Sequence, residues 1–506
     1  MMPTALSSTA PLLSSPARKT PPLALFCYDA RPAIPAPYIF SIPQEPAVTN
    51  TDFSTLPLGP TLLDNLTSLG YTRMTPIQAQ GLPLVLAGQD VIAQASTGSG
   101  KTLAFGLGLL SRLDVSRNQV QAMVLCPTRE LADQVARELR KLARAMANVK
   151  LVSLCGGSPT AAQTATLQFG AHIVVGTPGR MLKHLQQGSL ELDALHTLVL
   201  DEADRMLDMG FADDIRKVVA FAPAARQTLL FSATYPDGIA ELSRGLQRQP
   251  QQIAVADEHS AGNIVELLFE VTPAQRKAAL ATLLAHYAPA SAVVFCNTKR
   301  ACQEVADHLN GLGFAALALN GDLEQRERDQ VLVRFANGSA NILVATDVAA
   351  RGLDIKELAA VINYDITPDP QVHVHRIGRT GRAGEQGLAL SLYSAQEAYR
   401  VNLIEEYQRA PMAQGSLDAL NGQAEPRQPE MVTLNIAGGR KSKIRAGDIL
   451  GALTRDAGLA GEQVGKIDIT EMQSYVAVHK DVARQALKHL QQGKIKGRSV
   501  RASRLG

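Results

Sequence analysis

The stretch "DVIAQASTGSGKTLAFGLGLL" (residues 90–110) decides the fold. Its opening is an apolar run of strand length, and its close, "TLAFGLGLL", predicts a helix. Between them, Ala95 to Thr102 fit the phosphate-cradling loop G-x-x-x-x-G-K-S/T in all but the first position, where Ala95 stands for Gly. Glycines let backbone N–H groups approach a polyphosphate at a helix N-terminus, which favours negative charge. Lys101 supplies a cation to the terminal phosphates, and the Thr102 hydroxyl can ligate magnesium.

The same rhythm extends outward. The runs "AMVLCP", "HIVVGT", "TLVLDE" and "TLLFSAT" alternate with amphipathic stretches up to about residue 256, the pattern of a doubly wound parallel sheet. After the polar connector "ADEHSAGN" the pattern returns in "SAVVFCN", "AALALNG", "NILVATD" and "AVINYD". Two similar α/β domains in tandem, 51–256 and 264–408, leave a cleft between them. In "TLVLDEAD" (197–204) an apolar strand ends in acids, which resist burial unless something compensates them. Ligands of open parallel sheets bind beyond the carboxyl ends of strands, so these acids face the phosphate loop. Asp201 is expected to hold magnesium through water, and Glu202 to orient and deprotonate the water that attacks a γ-phosphate.

Composition sets outer bounds. At 506 residues the chain has room for several domains, each with its own core. No uninterrupted apolar stretch approaches the ~18–20 residues needed to cross a bilayer, so no membrane partner is expected. Five scattered cysteines (Cys27, Cys126, Cys155, Cys296 and Cys302) have no C-x-x-C spacing, which argues against a disulfide framework or a zinc site and for the reducing cytoplasm. Residues 1–50 hold 10 of the 27 prolines and show neither period, so they read as a disordered Pro-rich extension. The formal net charge of +3 conceals an asymmetry: residues 431–506 carry 14 Lys and Arg against 6 Asp and Glu, while the remainder carries 36 against 41. The C-terminal end is expected to seek polyanions.

Together with "ASTGSGKT", the letters Asp201, Glu202, Ala203 and Asp204 resemble the DEAD-box ATP-dependent RNA helicases, over roughly residues 51–400. The resemblance implies two tandem RecA-like parallel-sheet domains, ATP and Mg2+ as cofactors, and RNA as substrate. "GYTRMTPIQ" (70–78) resembles the family's adenine-recognition element, with Phe53 upstream. The implied nucleotide set is Phe53, Tyr71, Gln78, Ser96, Thr97, Gly98, Ser99, Gly100, Lys101 and Thr102. "PTREL" (127–131), "GG" (156–157) and "TPGR" (177–180) resemble the RNA-backbone elements, implying Pro127, Thr128, Arg129, Gly157, Thr177, Gly179 and Arg180. "SAT" (232–234) resembles the element that couples hydrolysis to closure.

In the second domain "VVFCNT" (293–298), "QRER" (325–328) and "ATDVAARGLDI" (345–355) follow in family order, implying Thr298, Arg328, Thr346 and Arg351 for RNA and Asp354 for the ribose. In "HRIGRTGR" (375–382), Arg379 and Arg382 are spaced to act as arginine fingers on the γ-phosphate, and His375 and Arg376 are implied to link nucleotide and interdomain contacts. The catalytic set is thus Lys101, Asp201, Glu202, Arg379 and Arg382, split between two domains, so hydrolysis requires closure.

Residues 409–430 read as a polar linker, and 431–506 as β-α-β-β-α-β, which resembles an RRM-like RNA-binding domain of α+β type. Its aromatic signature is reduced to Tyr475, so binding falls to cations: Arg440, Lys441, Lys443 and Arg445, then Lys494, Lys496 and Arg498. The phrases "IRAGDILGALTRDAG", "VGKIDI" and "GKIKGR" resemble the DbpA subfamily. That implies a large-subunit rRNA hairpin near the peptidyl-transferase centre and pre-50S ribosomal particles as partners, with a monomer as the working form. The alternative is an ATP-gated RNA clamp or scaffold that contributes little unwinding.

Overall fold

The computed structural model describes residues 51–505 other than 96–97, 236, 256–263, 351–357, 382–385 and 421–424. The expectations for residues 1–50, Ser96, Thr97, Arg351, Asp354, Arg382 and the connector 256–263 lie outside the described residues.

The first domain holds seven strands: β1 (Val91–Gln94), β2 (Ala122–Leu125), β3 (Leu151–Leu154), β4 (Ile173–Gly176), β5 (Thr197–Asp201), β6 (Gln227–Ser232) and β7 (Gln251–Ala254). All pair in parallel, in the order β3-β4-β2-β5-β6-β1-β7. The second holds β8 (Ile264–Glu270), β9 (Ala292–Cys296), β10 (Ala316–Leu319), β11 (Ile342–Thr346), β12 (Ala360–Asn363), β13 (Gly387–Tyr393) and β14 (Ala413–Gln414). Its order, β10-β11-β9-β12-β13-β8-β14, is that of the first sheet with every strand advanced by seven places. The expected tandem repeat is therefore present strand for strand.

Burial explains which strands the sequence made visible. Along β2, Ala122 and Val124 enter the core on one face of the sheet while Met123 and Leu125 enter the core on the other. A strand covered by helices on both faces has to be apolar throughout. The first sheet's edge strands β3 and β7 carry exposed or half-buried residues, and no continuous apolar run marks them. Of the stretch read as linker, Ala413–Gln414 pair with β8, while Met412, Leu417 and Leu420 pack on cores of the second domain, so its fold continues past residue 408.

The C-terminal domain has four antiparallel strands, β15 (Met431–Ile436), β16 (Val464–Ile469), β17 (Ser474–His479) and β18 (Ala502–Arg504), in the order β16-β17-β15-β18. The last strand's position is fixed by β15, which pairs Ile436 with Ala502 and Leu434 with Arg504. Val432, Leu434, Ile436, Val476 and Val478 form the core beneath helices Ala446–Gly451 and Ala483–Gln492. Alternation turns Thr433, Asn435 and Tyr475 to the opposite face, and that face is covered by the second domain. Thr433 Oγ1 accepts from Asn337 Nδ2 at 2.8 Å, and Tyr475, 2% exposed, lies within reach of Gln330, Asp329 and Arg326 on helix Gln325–Ala336. Among the described residues no helix is long and apolar enough to cross a membrane.

Candidate ATP and RNA site

The strand order sorts the motifs. The phosphate loop follows β1, the acids end β5 and open the helix after it, and "SAT" ends β6; these three strands are neighbours. "PTREL", "GG" and "TPGR" follow β2, β3 and β4, the other half of the same edge. One edge of one sheet thus carries a nucleotide half beside an RNA half.

In the phosphate loop, Gly98 and Gly100 take left-handed backbone (φ 94° and 96°), and Gly100 caps helix Lys101–Ser111. A Cβ on Gly100 would meet Gln78 Nε2 at 2.3 Å, so glycine is required there. Lys101 is buried, and its ammonium donates to the Ala95 carbonyl at 2.7 Å. Gln78 has both ends of its amide in use: Oε1 accepts from the Thr75 N–H (2.9 Å) and Nε2 donates to the Gly100 carbonyl (3.0 Å). It ties the adenine element to the phosphate loop, so an adenine edge would have to exchange with these partners. Tyr71 is exposed, whereas Phe53 differs from expectation: at 4% exposure it packs in the first domain's core with Leu56 and Leu62.

The three acids are compensated in three ways. Glu202, in left-handed backbone at φ 54°, is paired with Arg205 Nη1 at 2.9 Å, both side chains being buried. Asp204 Oδ2 accepts from the Ala233 N–H (3.1 Å), the Thr234 N–H (3.0 Å) and the Thr234 hydroxyl (3.0 Å), which ties the acid segment to "SAT". Burial alone would raise the Asp204 pKa, but Lys101, the Thr234 N–H and Arg205 outweigh it and hold the carboxyl below its usual range. Asp201 has less help, from Lys101 and the Glu202 N–H. It is 3% exposed, its Oδ1 has no hydrogen-bond partner, and burial pushes its pKa up to about 7 despite Lys101.

An orphaned carboxylate oxygen in the same cluster as Lys101, with the Thr102 hydroxyl next along the chain, fits a hard oxygen-seeking cation. Asp201 and Thr102 would hold Mg2+, which when bound neutralises phosphate charge. A carboxyl whose pKa is higher folded than unfolded binds its proton more tightly when folded. Its stabilisation is full below pH ~3.8 and drains away as the pH climbs through about 7. Without nucleotide and metal, Asp201→Asn is expected to flatten that decline, which denaturant unfolding of both proteins between pH 5 and 8 would register.

Across the cleft, helix Pro370–Ile377 brings the second domain to the acids. Asp204, Arg205, Thr234, His375, Arg376 and Arg379 are among the residues lining one cavity of about 220 Å³. Burial first, and then Arg205 of the first domain, lowers the His375 pKa. Arg376, which lines this cavity, is also bonded throughout to its own domain. Its five N–H groups donate to Asp347 Oδ1 and Oδ2 (both 2.7 Å), Asn363 Oδ1 (3.2 Å), the Asp365 carbonyl (2.7 Å) and Asn297 Oδ1 (2.9 Å), and its plane stacks on Phe295. It is an internal strut joining the ends of β9, β11 and β12. Arg376→Ala leaves Asp347 unpaired and is expected to cost about 3–5 kcal/mol in equilibrium unfolding.

In the RNA half, Gly157, Gly179 and Thr298 are exposed, while Thr346 is buried; Pro127 and Thr128 are buried, with Thr128 capping helix Arg129–Leu142. Arg129 pairs with Asp133 at 3.6 Å. Arg328, expected on RNA, instead pairs with Glu130 of the first domain at 2.6 Å, both side chains 14% exposed. This interdomain pair was missed in the sequence, although Glu130 lies inside "PTREL". In the third domain Lys441, Lys443, Arg445, Lys494, Lys496 and Arg498 are exposed, and Lys496 Nζ donates to the Lys443 carbonyl at 3.1 Å, which joins the two basic loops. Tyr475, the one aromatic at the family's stacking position, is 2% exposed beneath the second domain, which leaves RNA contact to the cations.

A phosphate loop, buried acids and a facing arginine-bearing helix on two duplicated parallel sheets define a nucleotide-driven motor of two RecA-like halves. The chain belongs to the DEAD-box ATP-dependent RNA helicase family, whose members hydrolyse ATP: the DEAD/DEAH box helicase family matches residues 75–242 and the helicase conserved C-terminal domain matches 275–384. Saccharomyces cerevisiae Dbp5 bound to RNA and ADP BeF3 is similar in structure (TM-score 0.67, 30% identity, covering 73% of this chain and 96% of that one). So is Mss116p bound to ssRNA and AMP-PNP (TM-score 0.66, 26% identity, covering 74% and 82%). Within the family the chain is of the DbpA type. The DbpA RNA binding domain matches residues 433–504, and ATP-dependent RNA helicase DbpA of Escherichia coli (strain K12) is 56% identical over 458 residues, covering 89% of this chain and 99% of that protein.

Proposed function

We propose that this RNA helicase separates short duplexes locally: its two RecA-like halves close on one strand around ATP and Mg2+, and hydrolysis reopens them. Its third domain anchors it on a hairpin of 23S rRNA near the peptidyl-transferase centre, in pre-50S particles, where it acts as a cytoplasmic monomer. Lys101 positions the terminal phosphates, Glu202 takes the proton of the attacking water, and Arg379 with Arg382 neutralises charge from the far side.

The observation that carries this reading is the facing of Asp204, Arg205 and Thr234 with His375 and Arg379 across one cavity, which supports a site completed from both domains. The joined basic loops at 440–445 and 494–498 support the tether, since the sheet face is covered.

The test is ATPase activity over a panel of RNAs, comparing the full chain, a chain ending at residue 430, and a full chain with Lys441, Lys443, Lys494 and Lys496 all replaced by Gln. Both altered forms are expected to keep general RNA stimulation and lose preference for the ribosomal hairpin. In the Gln form the salt slope of hairpin binding should fall by ~0.9 for each duplex phosphate that is no longer neutralised. The Gln form matters because truncation also bares helix Gln325–Ala336. Equal stimulation by DNA and RNA would overturn the assignment of substrate.

A further inference from the structure

The loop 155–158 after β3 and the first turn of helix Pro178–Gln186 after the neighbouring strand β4 are cross-linked by one side chain. Gln163, on helix Thr160–Leu167, is 8% exposed. Its Nε2 donates to the Cys155 carbonyl at 3.0 Å, and its Oε1 accepts from Arg180 Nη1 at 2.7 Å. A carbonyl only accepts and a guanidinium only donates, so the orientation of the amide is forced. Oε1 also lies 3.0 Å from His184 Nε2; as it cannot donate, His184 carries a proton there. His184 Nδ1 is then left to accept from the Ser189 hydroxyl at 2.8 Å, and burial, which lowers the His184 pKa, suits that neutral ring. Arg180 Nη1 donates in addition to the Ser158 carbonyl at 2.8 Å, so this arginine braces the "GG" loop.

We propose that Gln163 is a positioning residue for RNA binding, fixing the spacing between the loop at 155–158 and the first turn of helix Pro178–Gln186 so that the exposed Gly157 and Gly179 meet one RNA strand in register. This rests on the reading that both segments face RNA. Backbone atoms of two separate segments can serve a single strand only if their separation is held, and a misplacement of about 1 Å weakens every interaction downstream. Gln163 supplies that constraint through one bond to the loop and two to helix Pro178–Gln186, at Arg180 and His184, from a buried position.

The experiment compares the full-length protein with Gln163→Leu and Gln163→Glu. Leu removes all three bonds at similar volume. Glu is isosteric and still accepts from Arg180 and His184, but sets a carboxylate against the Cys155 carbonyl. ATPase is measured against RNA concentration and separately against ATP concentration, with thermal melting alongside. The expected result is an apparent RNA constant about tenfold weaker in both variants, with kcat at saturating RNA and the KM for ATP within about twofold of the parent. Should Leu fail to fold, the isosteric Glu form carries the test alone. The inference falls if the RNA constant stays within twofold of the parent, or if kcat and the ATP KM deteriorate in step with it, as general damage would cause. A parent protein whose ATPase ignores RNA would overturn both this inference and the function on which it rests.

Discussion

Glu202→Gln arrests turnover while leaving the protein able to bind: kcat for ATP falls by about two to four orders of magnitude, and ATP and RNA affinities stay close to those of the parent. The geometry favours so selective an outcome. Glu202 sits in left-handed backbone at the start of the six-residue helix Ala203–Asp208, a conformation that a non-glycine residue keeps only where its surroundings impose it. Those surroundings are Asp201 before it, Asp204 locked to Ala233 and Thr234 after it, and Arg205 paired with its carboxylate. Glutamine keeps the shape and an acceptor for Arg205, so the backbone and the "SAT" connection survive; what disappears is the proposed base. Single-turnover hydrolysis with RNA saturating, beside RNA binding in the presence of a non-hydrolysed ATP analogue, separates the two effects. A variant that cleaves ATP within tenfold of the parent would place the base elsewhere. One that is arrested yet still complements a deletion would favour the clamp reading over unwinding.

The parts of this architecture that were legible are those where one physical demand dominates a contiguous stretch. Strands buried on both faces must be apolar, so β1, β2, β4, β5, β9 and β11 announce themselves, and a loop that wraps a polyphosphate must be glycine-rich with a lysine, so 95–102 does the same. What stayed hidden depends on partners far apart in the chain. Nothing near Arg328 shows that Glu130, 198 positions earlier, takes its guanidinium. Nor does "HRIGRTGR" reveal that Arg376, which lines the cavity beside Arg379, spends its guanidinium on Asp347, Asn363, Asp365 and Asn297 of its own domain. Phe53 and Tyr475 show the same limit for aromatic rings, whose large apolar area makes them equally fit to stack on a base or to fill a core; both are buried here. Gln163, in the bland run "TAAQTATL", offers no local signal at all.

Removing the Arg379 side chain is expected to damage the chemistry about as much as removing the proposed base, and to act from the opposite domain: Arg379→Ala lowers kcat by about three orders of magnitude, within the range typical of an arginine finger. The charge that develops on the γ-phosphate has Lys101 on the first-domain side, and only a cation brought by closure completes the set. ATP binding to the first domain therefore persists, RNA binding persists, and the two lose their coupling, so that RNA no longer accelerates hydrolysis. The neighbouring arginine provides the control that distinguishes a chemical role from a structural one. Arg376→Ala breaks the strut between β9, β11 and β12 and lowers kcat only in proportion to protein unfolded, with a matching fall in the denaturation midpoint, whereas Arg379→Ala leaves that midpoint near the parent's. Lysine at 379 is informative too. It restores the charge but not the fork that can grip two phosphate oxygens at once, so a partial recovery of kcat is expected. If Arg379→Ala, even combined with Arg382→Ala, hydrolysed ATP as fast as the parent under saturating RNA, the two halves would not share an active site, and the need for closure would lose its physical basis.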